Sequence, residues 1–162
     1  MRLALGTAQF GLDYGIANAG GKVSDSAVEA ILHAARASGV DTLDTAIAYG
    51  DAEARMGRVG VAGLQVVSKL PAVPQGVEDI RGWVLESARG SLARLGVARL
   101  HGLLLHRPED LLGDGGAGLL AGLSEAQDLG LVDRVGVSVY GPADLDALPP
   151  TFTPGLVQVP FS

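Results

Sequence analysis

Short apolar runs alternate with helical patterns along this chain. Leu3–Leu5 is a compact strand at the start, and a glycine-rich loop with Gly11, Gly15, Gly20 and Gly21 follows it. Ser24 or Asp25 can then cap a helix whose apolar face uses Val28, Ile31, Leu32 and Ala35, with Gly39 as its C-terminal stop. Thr42–Thr45 forms a second strand, and Asp51 precedes a short helix through Met56. A third strand, Leu64–Ser68, is broken off by Pro71 and Pro74. Ile80, Val84, Leu85, Ala88, Leu92 and Leu95 recur at helical spacing and predict a long helix from about Val77 to Leu95. Gly102–Leu105, Val135–Ser138 and Leu156–Val159 are the fourth, fifth and sixth strands. Helices over Leu119–Leu129 and Pro142–Leu148 separate them, and the Gly113–Gly118 cluster reads as a flexible loop.

This alternation predicts an α/β fold with parallel strands and crossover helices. The strands are short and apolar, as expected where both faces are buried. No linker, repeat or charge block divides the sequence, so residues 1–162 read as one domain.

Composition narrows the functional classes. The chain is 48% hydrophobic and only 4% aromatic, so Ala, Gly, Leu and Val must fill the core. A net charge of −6 argues against nucleic acid or an anionic membrane as a partner. There is no cysteine, which excludes disulfides and thiolate metal sites, and no His pair has metal-ligand spacing. The N-terminus lacks the pattern of a signal peptide, and no run approaches the ~18 apolar residues of a membrane span. The expectation is a cytoplasmic protein.

Reactive groups in parallel α/β barrels gather at the carboxyl ends of the strands. Here Asp44 closes the second strand, Tyr49 follows it, Lys69 closes the third and His106 closes the fourth. Each alone reads as a turn former, a packing residue or a solvated strand end. Together they form an acid–base set. A carbonyl reduced by hydride needs a proton, and a tyrosine hydroxyl can give it, although its ordinary pKa of about 10 is high. A nearby lysine is expected to lower that pKa, with the aspartate holding the lysine charged. The histidine can polarise the substrate oxygen.

These residues stand in segments that resemble the aldo-keto reductases. LALGTAQFG is similar to that family's first strand and cofactor-facing turn. DTLDTAIAYGDAEARMG resembles its signature, with Asp44, Tyr49 and Glu53 in place between Gly39 and Gly57. VVSKL and LLLHRP match the segments with the lysine and the histidine, and RVGVSVY and LVQVPFS resemble strands five and six. The resemblance implies a (β/α)8 TIM-barrel fold and reduction of a small aldehyde or ketone with NADPH. Asp44, Tyr49, Lys69 and His106 would be the catalytic set, and Gly6, Thr7, Asp44, Ser138 and Gln158 would contact the cofactor. Val139 stands where the family usually has asparagine, so one carboxamide contact should be missing or differently supplied.

Such a barrel typically needs ~250 residues, and this sequence stops three residues after its sixth strand. The expectation is therefore an incomplete barrel of about six strands, open at strands one and six, with self-association through those edges. A non-catalytic truncated member, acting in cofactor sensing or protein interaction, is the alternative.

Overall fold

The computed structural model describes residues 3–16 and 18–160. Six parallel strands form one sheet in the order β1-β2-β3-β4-β5-β6. They are β1 (Ala4–Gly6), β2 (Thr42–Asp44), β3 (Gln65–Leu70), β4 (Leu100–Leu105), β5 (Val132–Ser138) and β6 (Leu156–Gln158). Between them lie α1 (Ala8–Gly11), α2 (Asp25–Ala37), α3 (Ala52–Val59), α4 (Ile80–Leu95), α5 (Gly116–Asp128) and α6 (Pro142–Asp146). The sheet curls into a half-barrel with the helices outside, which is an incomplete (β/α)8 fold.

Alternation along each strand separates two layers. On β3, Val66, Ser68 and Leu70 face the helices, while Val67 and Lys69 face the concave side. On β4, Leu103 and Leu105 pack outward, while Leu104 lines the interior. Gly102 leaves room there for Leu156 of β6, since a side chain at 102 would lie 2.6 Å from Leu156 Cδ2. The outer layer is a continuous core that includes Leu32, Leu43, Met56, Leu70, Leu95, Leu103 and Leu123. With few aromatic residues, density there comes from interlocking aliphatic groups.

Local chemistry sets the element ends. Ser24 caps α2, its hydroxyl accepting from Ala27 N at 3.2 Å. The long helix starts at Ile80, later than the apolar spacing indicates, because the Asp79 carboxylate takes the cap position and accepts from Gly82 N at 2.8 Å. It ends at Gly96, whose left-handed φ of 68° closes the last turn. Gly116–Asp128 being helical shows that half of the predicted glycine loop is the start of α5. A side chain at Gly122 would lie 2.7 Å from Val84 Cβ, so the glycine there serves close packing of α5 on α4. β4 and β5 begin two and three residues before the predicted starts, which places His101 inside β4. Among the described residues, no helix is long and apolar enough to cross a membrane.

The α3–α4 contact is closest at Gly57, where an added methyl would sit 2.0 Å from the Arg94 carbonyl oxygen. Gly57→Ala is expected to cost about 1–3 kcal/mol of stability through overpacking. The control Gly113→Ala, with only one contact at 3.9 Å, should stay within about 0.5 kcal/mol. Calorimetric melting of the two variants checks the difference.

Candidate active site

Three neighbouring strands deliver four side chains to one end of the sheet. Asp44 is the last residue of β2, Lys69 the penultimate residue of β3, and His106 directly follows β4. Parallel register puts these ends side by side, with Asp44 opposite Val67 and Lys69 opposite Leu104. Tyr49 sits on the turn after β2, folded back by Tyr49 N donating to Ala46 O and Ala52 N donating to Tyr49 O, both at 3.0 Å.

Lys69 organises the group. Its side chain is 1% exposed, yet its ammonium has partners on two sides. It lies 2.5 Å from Asp44 Oδ1 and donates to the Thr45 carbonyl at 2.8 Å. Burying an ion costs several kcal/mol, which only close, well-directed partners offset. The same ammonium lies 5.4 Å from the Tyr49 ring centroid, within cation–π range. Tyr49 meets His106 edge to face, with ring centroids 6.1 Å apart and planes at 80°. All four predicted residues therefore come together.

The electrostatics depart from the expectation in one respect. The Tyr49 phenol is raised above its ordinary pKa of 10, by burial first and then by the Asp44 charge, with smaller contributions from Tyr14 and Tyr140. The expected lowering by lysine does not appear. Asp44 answers the Lys69 charge at contact distance, so the pair acts on the phenol as a dipole more than as a free cation. His106 is lowered from 6.5, by burial first and then by Lys69, with Asp44 opposing. Near neutral pH the site thus holds a protonated phenol beside an uncharged imidazole.

The five candidate cofactor residues divide between positions. Gly6, Asp44 and Gln158 line a cavity of about 460 Å³ on the concave face. Ser138 lines a second cavity of about 630 Å³ together with His106, Ala48, Pro71 and Tyr140. Thr7 is fully buried, and its hydroxyl donates to the Asp44 carbonyl at 2.9 Å, so it ties the end of β1 to β2. Ser138 and Gln158 are register partners, which places a hydroxyl and a carboxamide at adjacent strand ends. Gln158 Nε2 donates to Asp44 Oδ2 at 3.2 Å, which orients the amide by one of its two N–H groups. Val139 is 2% exposed, a core position, and its N–H donates to Gln158 O at 2.8 Å. No group of three or more His, Asp or Glu side chains among the described residues could hold a metal ion.

Two supporting residues complete the arrangement. Glu53 pairs with Arg94 at 2.7 Å. Arg55 was not singled out by sequence. Its guanidinium, 4% exposed, donates to Phe10 O, to Val23 O and to Asp25 Oδ1, and so pins the loop after β1. The only signal for it was its place on the buried face of α3 with Ala52 and Met56. That loop rides on the Tyr49 turn at Gly11, where any side chain would lie 1.7 Å from the Tyr49 carbonyl oxygen.

Comparison with known proteins agrees with this geometry. The profile of the aldo/keto reductase family matches residues 2–162. An aldo-keto reductase of Mycolicibacterium smegmatis is 32% identical over 149 residues, covering 86% of this chain and 50% of that protein. One from Mycolicibacterium paratuberculosis is 36% identical over 125 residues, covering 74% of this chain and 42% of that protein. The chain thus spans about half the length of the curated relatives it matches. In fold, it is similar to the crystal structure of a Bombyx mori aldo-keto reductase in complex with NADP. That likeness has a TM-score of 0.71 at 23% identity and covers 97% of this chain and 53% of the other. With the strand order, the motif and the profile all in agreement, this chain belongs to the aldo/keto reductase family.

Proposed function

We propose that this chain carries the acid–base site of an NAD(P)H-dependent oxidoreductase that reduces an aldehyde or ketone to an alcohol, with Tyr49 as proton donor. The observation that carries the reading is the buried Lys69 ammonium, paired with Asp44 and set 5.4 Å from the Tyr49 ring. The substrate carbonyl enters the larger cavity, where His106, Ser138 and Tyr140 form the wall. Family membership supports the reaction class, and the NADP bound to the Bombyx mori protein supports NADPH as the cofactor.

The roles follow from the chemistry of each group. Reduced nicotinamide, when bound, supplies the hydride that goes to the carbonyl carbon. Tyr49 Oη then gives its proton to the carbonyl oxygen, and the raised pKa keeps that proton in place until it is needed. The phenolate left behind faces Lys69, whose charge is already fixed and needs no reorganisation. Neutral His106 lends an N–H to the same oxygen and orients it. Gly6, Asp44, Ser138 and Gln158 fit the nicotinamide end of the cofactor, because they set small, hydroxyl, carboxylate and carboxamide groups around the two cavities. Thr7 acts from beneath by holding β1 against β2.

A fluorescence titration of the 162-residue chain with NADPH, followed by addition of an aldehyde, tests this directly. Saturable binding and aldehyde-dependent oxidation are expected. In Tyr49→Phe, binding should persist while turnover falls by about 10²–10⁴-fold. Binding without oxidation in the unaltered chain would favour a cofactor-sensing role, and unchanged turnover in Tyr49→Phe would reject the acid assignment. The pH profile is a second check. The phenol is raised above 10, so kcat/KM for reduction should hold level through neutral pH and fall only above pH 10 as Tyr49 loses its proton. An alkaline fall centred well below pH 10 would contradict this.

A further inference from the structure

We infer that Glu53 is a positioning residue, whose buried carboxylate holds the segment bearing Tyr49 against the strand bearing Lys69 through the Ser68 hydroxyl. The purpose assigned to that contact rests on the acid–base reading above. The contact itself stands independently.

Glu53 lies in the first turn of α3 and is 2% exposed. Tyr49 is four residues earlier, and Ala52 N donates to Tyr49 O at 3.0 Å, so the Tyr49 turn and the start of α3 move together. The carboxylate reaches two elements. Its Oε1 accepts from Ser68 Oγ at 2.6 Å, on β3. Its Oε2 accepts from Ser91 Oγ at 3.2 Å and Arg94 Nε at 2.8 Å, both on α4. Ser68 directly precedes Lys69 and faces the helices while Lys69 faces the site. The hydroxyl therefore holds β3 from outside at the point where Lys69 leaves it inside.

The backbone leaves this task open. The last backbone link from the β2 end to β3 is Ile47 N to Lys69 O at 3.1 Å, two residues short of Tyr49. Beyond it, the Tyr49 turn takes its place from its flanks, the Gly11 loop on one side and α3 on the other. An apolar contact between α3 and β3 could be as stable as a buried ion pair. It would not fix distance and direction as a carboxylate held by donors on two elements does. The need for fixed distance is plain in the site, where the Tyr49 ring stands 5.4 Å from Lys69 Nζ and 6.1 Å from the His106 ring.

Two buried serines make a controlled comparison. Ser68 and Ser91 are both fully buried and both donate to Glu53, but only Ser68 lies on the strand with Lys69. Ser68→Ala and Ser91→Ala in the 162-residue chain are followed by melting temperature and by the NMR titration of the His106 ring. The His106 midpoint reports on its surroundings without any turnover, since burial, Lys69 and Asp44 set it. The Tyr49 ring packs against it, and Arg107, Glu109 and Asp144 line the same cavity. Both variants should melt at lower temperature. Only Ser68→Ala should displace the His106 midpoint by a few tenths of a pH unit or more, and in an active chain it should lower kcat more than it raises KM. Should Ser68→Ala fail to fold, Ser68→Cys keeps the volume, weakens the donor and carries the same comparison. Equal midpoints in the Ser68 and Ser91 variants would overturn the inference. A displaced midpoint in a chain without reductase activity would keep the positioning role and reject the oxidoreductase reading.

Discussion

A buried ammonium is the constraint around which this structure is arranged. Lys69 is 1% exposed on the concave side of the sheet, where an unpaired charge could not persist. Its partners, Asp44 and the Thr45 carbonyl, both come from the end of β2, so the charge couples the ends of two adjacent strands. The same pairing decides the electrostatics of the site. Because Asp44 neutralises Lys69 at contact distance, the Tyr49 phenol sees burial more strongly than it sees the cation, and it remains a proton carrier. The cation is nevertheless in place for the phenolate that proton transfer would create.

Backbone contact does the remaining alignment. Gly11 rests on the Tyr49 carbonyl and Gly57 on the Arg94 carbonyl, each at a distance that excludes any side chain. Arg55 secures the first of these contacts by binding the carbonyl oxygens of Phe10 in α1 and Val23 ahead of α2. Glu53 secures the second by binding Arg94. The turn that bears Tyr49 is thus held on both flanks by a buried charged residue of α3, while the Tyr49 side chain itself stays half-buried.

Much of this was legible in the amino-acid order, and the parts that were not have physical causes. The six strands follow from short apolar runs bounded by glycine and proline, and their parallel order follows from the intervening helices. Asp44, Tyr49, Lys69 and His106 were readable because their types and separations are specific in combination. α1 and the 3₁₀ turn at Pro108–Leu112 were not, because four or five residues carry too little periodicity. The late start of α4 was set by the Asp79 cap and not by its apolar face. The direction of the Tyr49 pKa was also beyond the sequence, since it depends on how completely Asp44 answers Lys69 and on how deeply the ring is buried. Arg55 could not be singled out from the sequence, because the carbonyl groups that hold it lie more than thirty residues away along the chain.

One protonated amine, one phenol and one imidazole share a single small volume at the ends of β2, β3 and β4. Nuclear Overhauser contacts in the labelled 162-residue chain measure that directly. Cross-peaks are expected from the Tyr49 ring protons both to the ε-methylene of Lys69 and to the His106 ring. A well-dispersed, folded spectrum in which Tyr49 contacts neither residue would contradict it.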